Sequence, residues 1–284
     1  MSDQAEKLRS RLLNRRNVIP AKTIAVASGK GGVGKSNFTI NFALKLIEYN
    51  KKVLIIDFDI GMGNVDILLG VSPHRSIVDL FSGSTSIGQI VEQGPGGLEY
   101  ISGGSGLSEI FTLNNERADY FFKQFNELIN TYDFILFDMG AGVSRDSLYF
   151  MASADEVIIV TTAEPTSITD AYGVIKHLVS YDSRLPIKVL LNRTLTKESG
   201  GVTFERLEQA ALKFIKKKIT FLGSLPDDHK VMKSVLAQVP FVTAEPDSKA
   251  AKAVQTITQR YLHLPVAPSN KSFLSKLKSF VKER

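Results

Sequence analysis

At 284 residues, with 43% hydrophobic and 23% charged side chains, the chain is long enough to bury a sizeable core and has the make-up of one large soluble α/β domain with extensions. No stretch approaches the roughly 18–20 apolar residues of a membrane span, no apolar segment opens the chain as a secretory signal would, and the absence of cysteine excludes disulfides and thiolate-held iron–sulfur clusters and fits a reducing compartment. The net charge of +6 sits at the ends: residues 1–22 and 271–284 each carry +4, leaving −2 between them. Basic ends suit nucleic acid, an anionic membrane or an acidic partner, and charge alone leaves all three open.

Residues 3–16 read as a short basic helix. Asp3 and Glu6 have the spacing of a capping box, Leu8 and Leu12 share a face with Ala5, and Arg9, Arg11, Arg15 and Arg16 cover much of the rest. So few apolar groups make it marginal alone, which leaves a helix that folds on a partner and a disordered basic tail as competing readings. Asn17 to Pro20 end it.

Thr23–Ala27 is an apolar run of strand type, and residues 37–46 have the apolar spacing of a helix. Between them lies Gly29-Lys30-Gly31-Gly32-Val33-Gly34-Lys35-Ser36, which matches G-x-x-x-x-G-K-[ST] at every position. Strand, glycine loop and helix are the context in which this pattern binds phosphate. Glycines let successive N–H groups turn inward around a polyanion, and the helix adds the positive end of its dipole. Lys35 is then placed to neutralise the β- and γ-phosphates, Ser36 to ligate Mg²⁺, and Asn37 to continue the cradle. Lys30 is a second lysine inside the loop that an ordinary P-loop does not need.

Lys51–Asp57 is the next strand, and Asp57 and Asp59 follow at its C-terminal end, where α/β sheets bind ligands. Residues 67–82 hold one or two short helices, Gly94–Gly97 a turn, Leu98–Ile101 a strand, and Ser102–Gly106 a glycine loop on the rim. Residues 114–130 form a helix with Phe121, Phe122, Phe125 and Leu128 along one core-facing stripe. Tyr132–Asp138 is an apolar strand ending in an acid, the Walker B pattern, with Asp138 directed at Mg²⁺ and a flexible Met139–Gly142 beyond it.

Further strands are expected at 156–160, 187–191 and 219–225, and helices at 166–180, 203–217, 228–238 and 247–262. Such alternation implies a mostly parallel, doubly wound sheet flanked by helices. A proline-bearing linker, 263–270, precedes residues 271–284. There Phe273, Leu274, Leu277, Phe280 and Val281 fall within an arc of about 120° on a helix, with Lys271, Lys276, Lys278 and Lys282 on the other face. A basic amphipathic helix of this kind binds a membrane surface but is too short to span it.

Lys30 to Ser36 resembles the deviant Walker A motif of the MinD/ParA ATPases, and the motifs from residue 22 to 262 follow that family's order. The resemblance implies a P-loop NTPase fold, ATP and Mg²⁺ as ligands, and an ATP-sandwiched homodimer in which Lys30 reaches the partner subunit's nucleotide. It implies that Asp59 positions the attacking water, that Asp57 supports the Mg²⁺ shell, and that Asn192, Arg193, Pro226 and Asp227 line the adenine. Met-Gly at 139–140 departs from the Ser-Pro more usual in MinD. Asp3–Arg9 is similar to the DQAxxLR element of the FlhG branch, MinD-like regulators of flagellar number and placement. That likeness implies that Gln4, Leu8 and Arg9 stimulate an FlhF-like SRP-type GTPase, that flagellar C-ring proteins are partners, and that the tail is a membrane-targeting helix. ParA-type DNA partitioning and MinD-type division-site regulation are the alternatives, and the apolar stripe of the tail argues against the first.

Overall fold

The computed structural model describes residues 20–59, 63–81, 85–103 and 115–263. Among the described residues eight strands form one sheet: β1 (Lys22–Ser28), β2 (Val53–Phe58), β3 (Glu92–Gln93), β4 (Glu99–Ile101), β5 (Phe134–Ala141), β6 (Glu156–Thr162), β7 (Ile187–Thr194) and β8 (Thr220–Pro226). Their order is β3-β4-β2-β5-β1-β6-β7-β8, parallel throughout except for the antiparallel β3–β4 pair. The doubly wound sheet expected from the sequence is present.

The ten helices among the described residues are α1 (Lys35–Glu48), α2 (Val65–Leu69), α3 (Ile77–Phe81), α4 (Asn115–Ile129), α5 (Arg145–Ser153), α6 (Pro165–Tyr181), α7 (Lys197–Ile215), α8 (His229–Leu236), α9 (Phe241–Ala244) and α10 (Lys249–His263), with short 3₁₀ turns at Ile87–Gln89 and Pro95–Gly97. Central strands are apolar at nearly every position because both faces are covered. On β1, Ile24 and Val26 join one core with α1 and α10, while Ala25 and Ala27 join the other with α4 to α7. The aromatic stripe of α4 lies in that second core, as its spacing required.

Several elements differ from the sequence reading. β5 runs on through Met139, Gly140 and Ala141, so the first part of the expected flexible segment is strand: Met139 pairs with Phe58, Ala141 pairs with Ser28, and Met139 is wholly buried. α7 starts six residues before the expected 203, because Thr196 and Ser199 form a reciprocal cap across an intervening Lys-Glu pair. α5, α9 and the two-residue β3 were not expected; α5 is likewise opened by a reciprocal cap, between Ser144 and Ser147. The N-terminal segment with Gln4, Leu8 and Arg9, and the tail with Phe273 to Val281, lie outside the described residues.

At the N-terminal edge of the sheet, Glu156 accepts from Lys22 Nζ at 3.1 Å and from Lys188 Nζ. Both amines lie over the Tyr261 ring, 4.7 and 4.8 Å from its centroid. Burial lowers the Lys188 pKa against the pull of Glu156 and raises that of Tyr261. The cluster pins the last turn of α10 to this edge, and removing one member of such a buried ion network costs about 3–5 kcal/mol.

Candidate functional site

β1 lies between β5 and β6, so the chain turns one way to reach β2 and the other way to reach β6–β8. The crevice at such a divergence is where open α/β sheets bind ligands, and the loop after β1 opens into it. Gly32 and Gly34 take φ of 75° and 90°, left-handed values that a Cβ disfavours. A Cβ on Gly34 would also fall 2.2 Å from Asn192 Nδ2. α1 starts with no side-chain cap and no acid in its first turn, which leaves its N–H groups directed at the loop's hollow.

Lys35 and Ser36 are buried at the head of α1. Lys35 Nζ donates to Asp138 Oδ1 at 2.9 Å and lies 3.2 Å from Ser36 Oγ; Thr39, one helical turn on, donates to the same carboxylate oxygen at 3.0 Å. Asp138 Oδ2 is buried and has no hydrogen-bond partner among the described residues. β2 and β5 pair in register at Asp57 and Asp138, which sets the two carboxylates side by side. Burial first, then the Asp138 charge, pushes the Asp57 carboxyl up to about 7, although Asp59 N, Asn64 N and Val65 N all donate to it at 2.8–3.2 Å. Asp59 is less buried; burial raises its pKa, Lys35 opposes the rise, and Asn64 Nδ2 holds its Oδ2 at 3.0 Å.

An orphaned buried carboxylate oxygen, a second acid strained by its neighbour, and a serine hydroxyl beside the Lys35 amine suit a hard dication. Among the described residues no cluster of three or more His, Cys, Asp or Glu is arranged to hold a metal unaided. Mg²⁺ keeps several waters and shares ligands with phosphate, so one or two carboxylates and a hydroxyl are enough protein donors for it.

The two lysines of the loop have separate settings. Lys30 is not part of the buried set: its Nζ donates to Glu164 Oε2 at 2.6 Å and to Thr166 Oγ1 at 3.3 Å, at the N-terminus of α6 on the exposed rim. The Lys30 ammonium in turn holds the Glu164 carboxyl below its usual range. Gly29 is fixed by close approach, since a Cβ there would collide with Asp170.

At the other side of the crevice, Asn192 donates to Val33 O at 2.7 Å and accepts from Arg193 N at 2.9 Å, so it braces the P-loop from β7. Pro226 ends β8 and Asp227 N donates to Thr194 O at 3.0 Å, tying the two strand ends together. Of the predicted residues, Lys35, Ser36, Asp57, Asp59 and Asp138 thus meet in one place, with Lys30 apart from them on the rim. Asn192, Arg193, Pro226 and Asp227 form an adjoining wall.

Residues 20–262 match the ParA family, described as an NUBPL iron-transfer P-loop NTPase. The chain belongs to the ParA/MinD family of P-loop ATPases. It is 33% identical to the antiactivator FleN of Pseudomonas aeruginosa over 88% of this chain and 89% of that protein, and 34% identical to the flagellum site-determining protein YlxH of Helicobacter pylori over 72% and 69%. The septum site-determining protein MinD of H. pylori follows at 28% over 85% and 91%. Among solved structures, MinD of Pyrococcus horikoshii complexed with Mg-ADP superposes with a TM-score of 0.68 at 26% identity, over 85% of this chain and 96% of that one. As a ParA/MinD ATPase, the chain takes ATP with Mg²⁺. Lacking cysteine, it has no thiolate with which to hold a cluster.

The sequence reading missed Thr39, Asn64, Glu164 and Thr166. Thr39 was within reach of pattern alone, being one turn beyond Lys35 on the same helix face. Asn64, Glu164 and Thr166 had no such signal, because their roles depend on how separate strand ends are brought together.

Proposed function

We propose that this ATPase is a regulatory switch of the FlhG/FleN type: two subunits close over ATP, the dimer binds the cytoplasmic membrane, and slow hydrolysis releases it. The observation that carries this reading is Lys30, a P-loop lysine excluded from the phosphate cradle and held on the rim by an exposed ion pair. A cation there is available to a second subunit's nucleotide. The name of the YlxH relative, flagellum site-determining protein, supports a role in flagellar placement.

In this proposal residues 22–262 are the ATPase unit, residues 1–21 stimulate an FlhF-like GTPase through Gln4, Leu8 and Arg9, and residues 271–284, after the 263–270 linker, bind anionic lipid. C-ring proteins are the further partners. Gly29 to Asn37, apart from Lys30, wrap the phosphates, and Lys35 leaves Asp138 for their oxygens. Ser36, Asp57 and Asp138 would hold Mg²⁺, which when bound neutralises charge on the transferring phosphoryl group. Asp59, held by Asn64, orients the attacking water. Asn192, Arg193, Pro226 and Asp227 would receive the adenine. One tail of five apolar groups binds weakly; two on one dimer bind far better through effective concentration.

No described helix is long and apolar enough to cross a membrane. The test is co-sedimentation with anionic vesicles in ATP or ADP, for the full chain and for a chain ending at residue 270. Binding that needs both ATP and the tail supports the proposal; equal binding in ADP defeats the switch. A Gln4→Ala chain that stimulates the FlhF-like GTPase undiminished defeats the N-terminal assignment.

A further inference from the structure

Across the molecule from the nucleotide crevice, the chain passes from α7 into β8 through Leu212-Lys213-Phe214-Ile215-Lys216-Lys217-Lys218-Ile219. This stretch contains no acid. Lys213, Lys216 and Lys218 are exposed, and Phe214 is 67% exposed, with Leu212 and Phe221 also open to solvent. Lys217 is the exception that fixes the rest. It is buried, and its Nζ donates to Ser183 O at 2.7 Å and Leu185 O at 2.6 Å, stapling the segment to the loop before β7. With that staple inside, Lys216 and Lys218 are held outward on either side of it. Arg184, on the stapled loop, is also exposed and faces Asp182 at 3.6 Å.

The same edge carries the exit of the chain. Lys188 pairs in register with Thr220, the first residue of β8, and the Lys188 amine lies over Tyr261 in the last turn of α10. α10 ends at His263 on this edge, with Arg260 in its last turn. Residues 264–270 span at most about 25 Å. A tail seated on a bilayer therefore holds this edge within that distance of the headgroups.

We propose that this edge is a second contact with anionic lipid, made by the folded body: Lys213, Lys216 and Lys218 face headgroup phosphates and Phe214 enters the interface. The inference rests on the membrane-cycling reading above and assigns that membrane a surface on the ATPase itself. Lysines beside an exposed aromatic match the two-part character of a lipid interface, charge outside and hydrocarbon beneath. An acidic protein groove or a nucleic acid would use the lysines but has no comparable tether to this edge.

The test uses the full chain with ATP and Mg²⁺ on phosphatidylglycerol-containing and purely zwitterionic vesicles. Two variants are compared: the triple change Lys213→Gln, Lys216→Gln, Lys218→Gln, and Phe214→Ser. The triple variant should lose at least about tenfold in affinity for anionic vesicles, with a shallower salt dependence and with unchanged melting temperature and ATP-driven dimerisation. Phe214→Ser should lose affinity while keeping the parent's salt dependence. Parent-like vesicle binding by the triple variant overturns the proposal and leaves the cycling reading standing, as does loss of DNA or acidic-protein retention with vesicle binding intact. Failure of the unaltered chain to bind anionic vesicles in ATP overturns both.

Discussion

Lys30 Nζ donates to Glu164 Oε2 at 2.6 Å, so the extra P-loop lysine is held by its own chain at the start of α6. If Lys30 acts on a second subunit's nucleotide, this contact must open first, and Glu164 competes with that nucleotide for the ammonium. Both groups are solvent-accessible, so the competition is weak. Glu164→Gln should therefore tighten ATP-dependent dimerisation modestly, as read by sedimentation velocity across a protein dilution series. Lys30→Ala should abolish the dimer while leaving ATP binding by the monomer in place. A Glu164→Gln protein that dimerises less well than its parent would place Glu164 on the productive side of the interface.

Asp59 is held by Asn64 through its Oδ2, while a Cβ on Gly140 would stand 3.3 Å from its Oδ1. The strand residue Gly140 thus leaves room on the open side of the carboxylate that the proposal assigns to the attacking water. Asp59→Ala should retain ATP binding, cut phosphate release by at least about a hundredfold, and accumulate the dimer on vesicles. Gly140→Ala should slow turnover less, by crowding that side. A monomeric, soluble Asp59→Ala protein in saturating ATP would show that Asp59 builds the interface rather than the reaction.

The parts of the site that were legible in the sequence are those whose chemistry is local. Gly29 to Ser36 carry their own geometry, and Asp57 and Asp138 announce themselves as acids at the ends of apolar strands. That both serve one Mg²⁺ site followed from the Walker B pattern and the family resemblance; their side-by-side pairing arises from the β2–β5 register, which no stretch of either strand encodes alone. Glu164 is another such case, an ordinary acid before a helix proline until the sheet order sets it beside Lys30. The flexible reading of Met139–Gly142 gave too much weight to the glycines. Met139 buries against the core and its backbone pairs with β2, and that packing extends the strand past Asp138.

Asp57 offers a pH test. Its carboxyl is pushed up to about 7, chiefly by burial and secondly by Asp138, against 3.8 for the free group. Between those values the nucleotide-free fold binds a proton that the unfolded chain has released, so its stability falls as pH rises from about 4 to 7 and levels off above. Asp57→Asn should remove much of that fall. The nucleotide-free variant should then be more stable than its parent at pH 8, by on the order of a few kcal/mol, with the advantage shrinking toward pH 4. Urea unfolding at pH 4.5, 6 and 8 measures it. The variant should also bind Mg²⁺·ATP poorly, whereas the parent should bind it more tightly as pH rises through 7 and the proton leaves. Equal pH dependence in both proteins would remove Asp57 as the titrating group.

The buried pair Lys35–Asp138 makes the P-loop partly responsible for the fold that carries it. Lys35 is 6% exposed and Asp138 is fully buried, and Thr39 adds a second donor to the same oxygen. Removing the ammonium leaves a carboxylate in the sheet's interior next to Asp57, a change that costs about 3–5 kcal/mol in comparable buried pairs. Lys35→Ala should accordingly lower the urea midpoint of the nucleotide-free protein as well as abolish ATP binding. Thr39→Val should cost only about 1 kcal/mol, the worth of one hydrogen bond. Asp138→Asn in the Lys35→Ala background should restore much of the lost stability without restoring nucleotide binding, because it neutralises the stranded charge but not the missing phosphate contact. If Lys35→Ala alone is as stable as its parent, the ammonium does not rest on Asp138 before ATP arrives, and the P-loop lysine waits elsewhere.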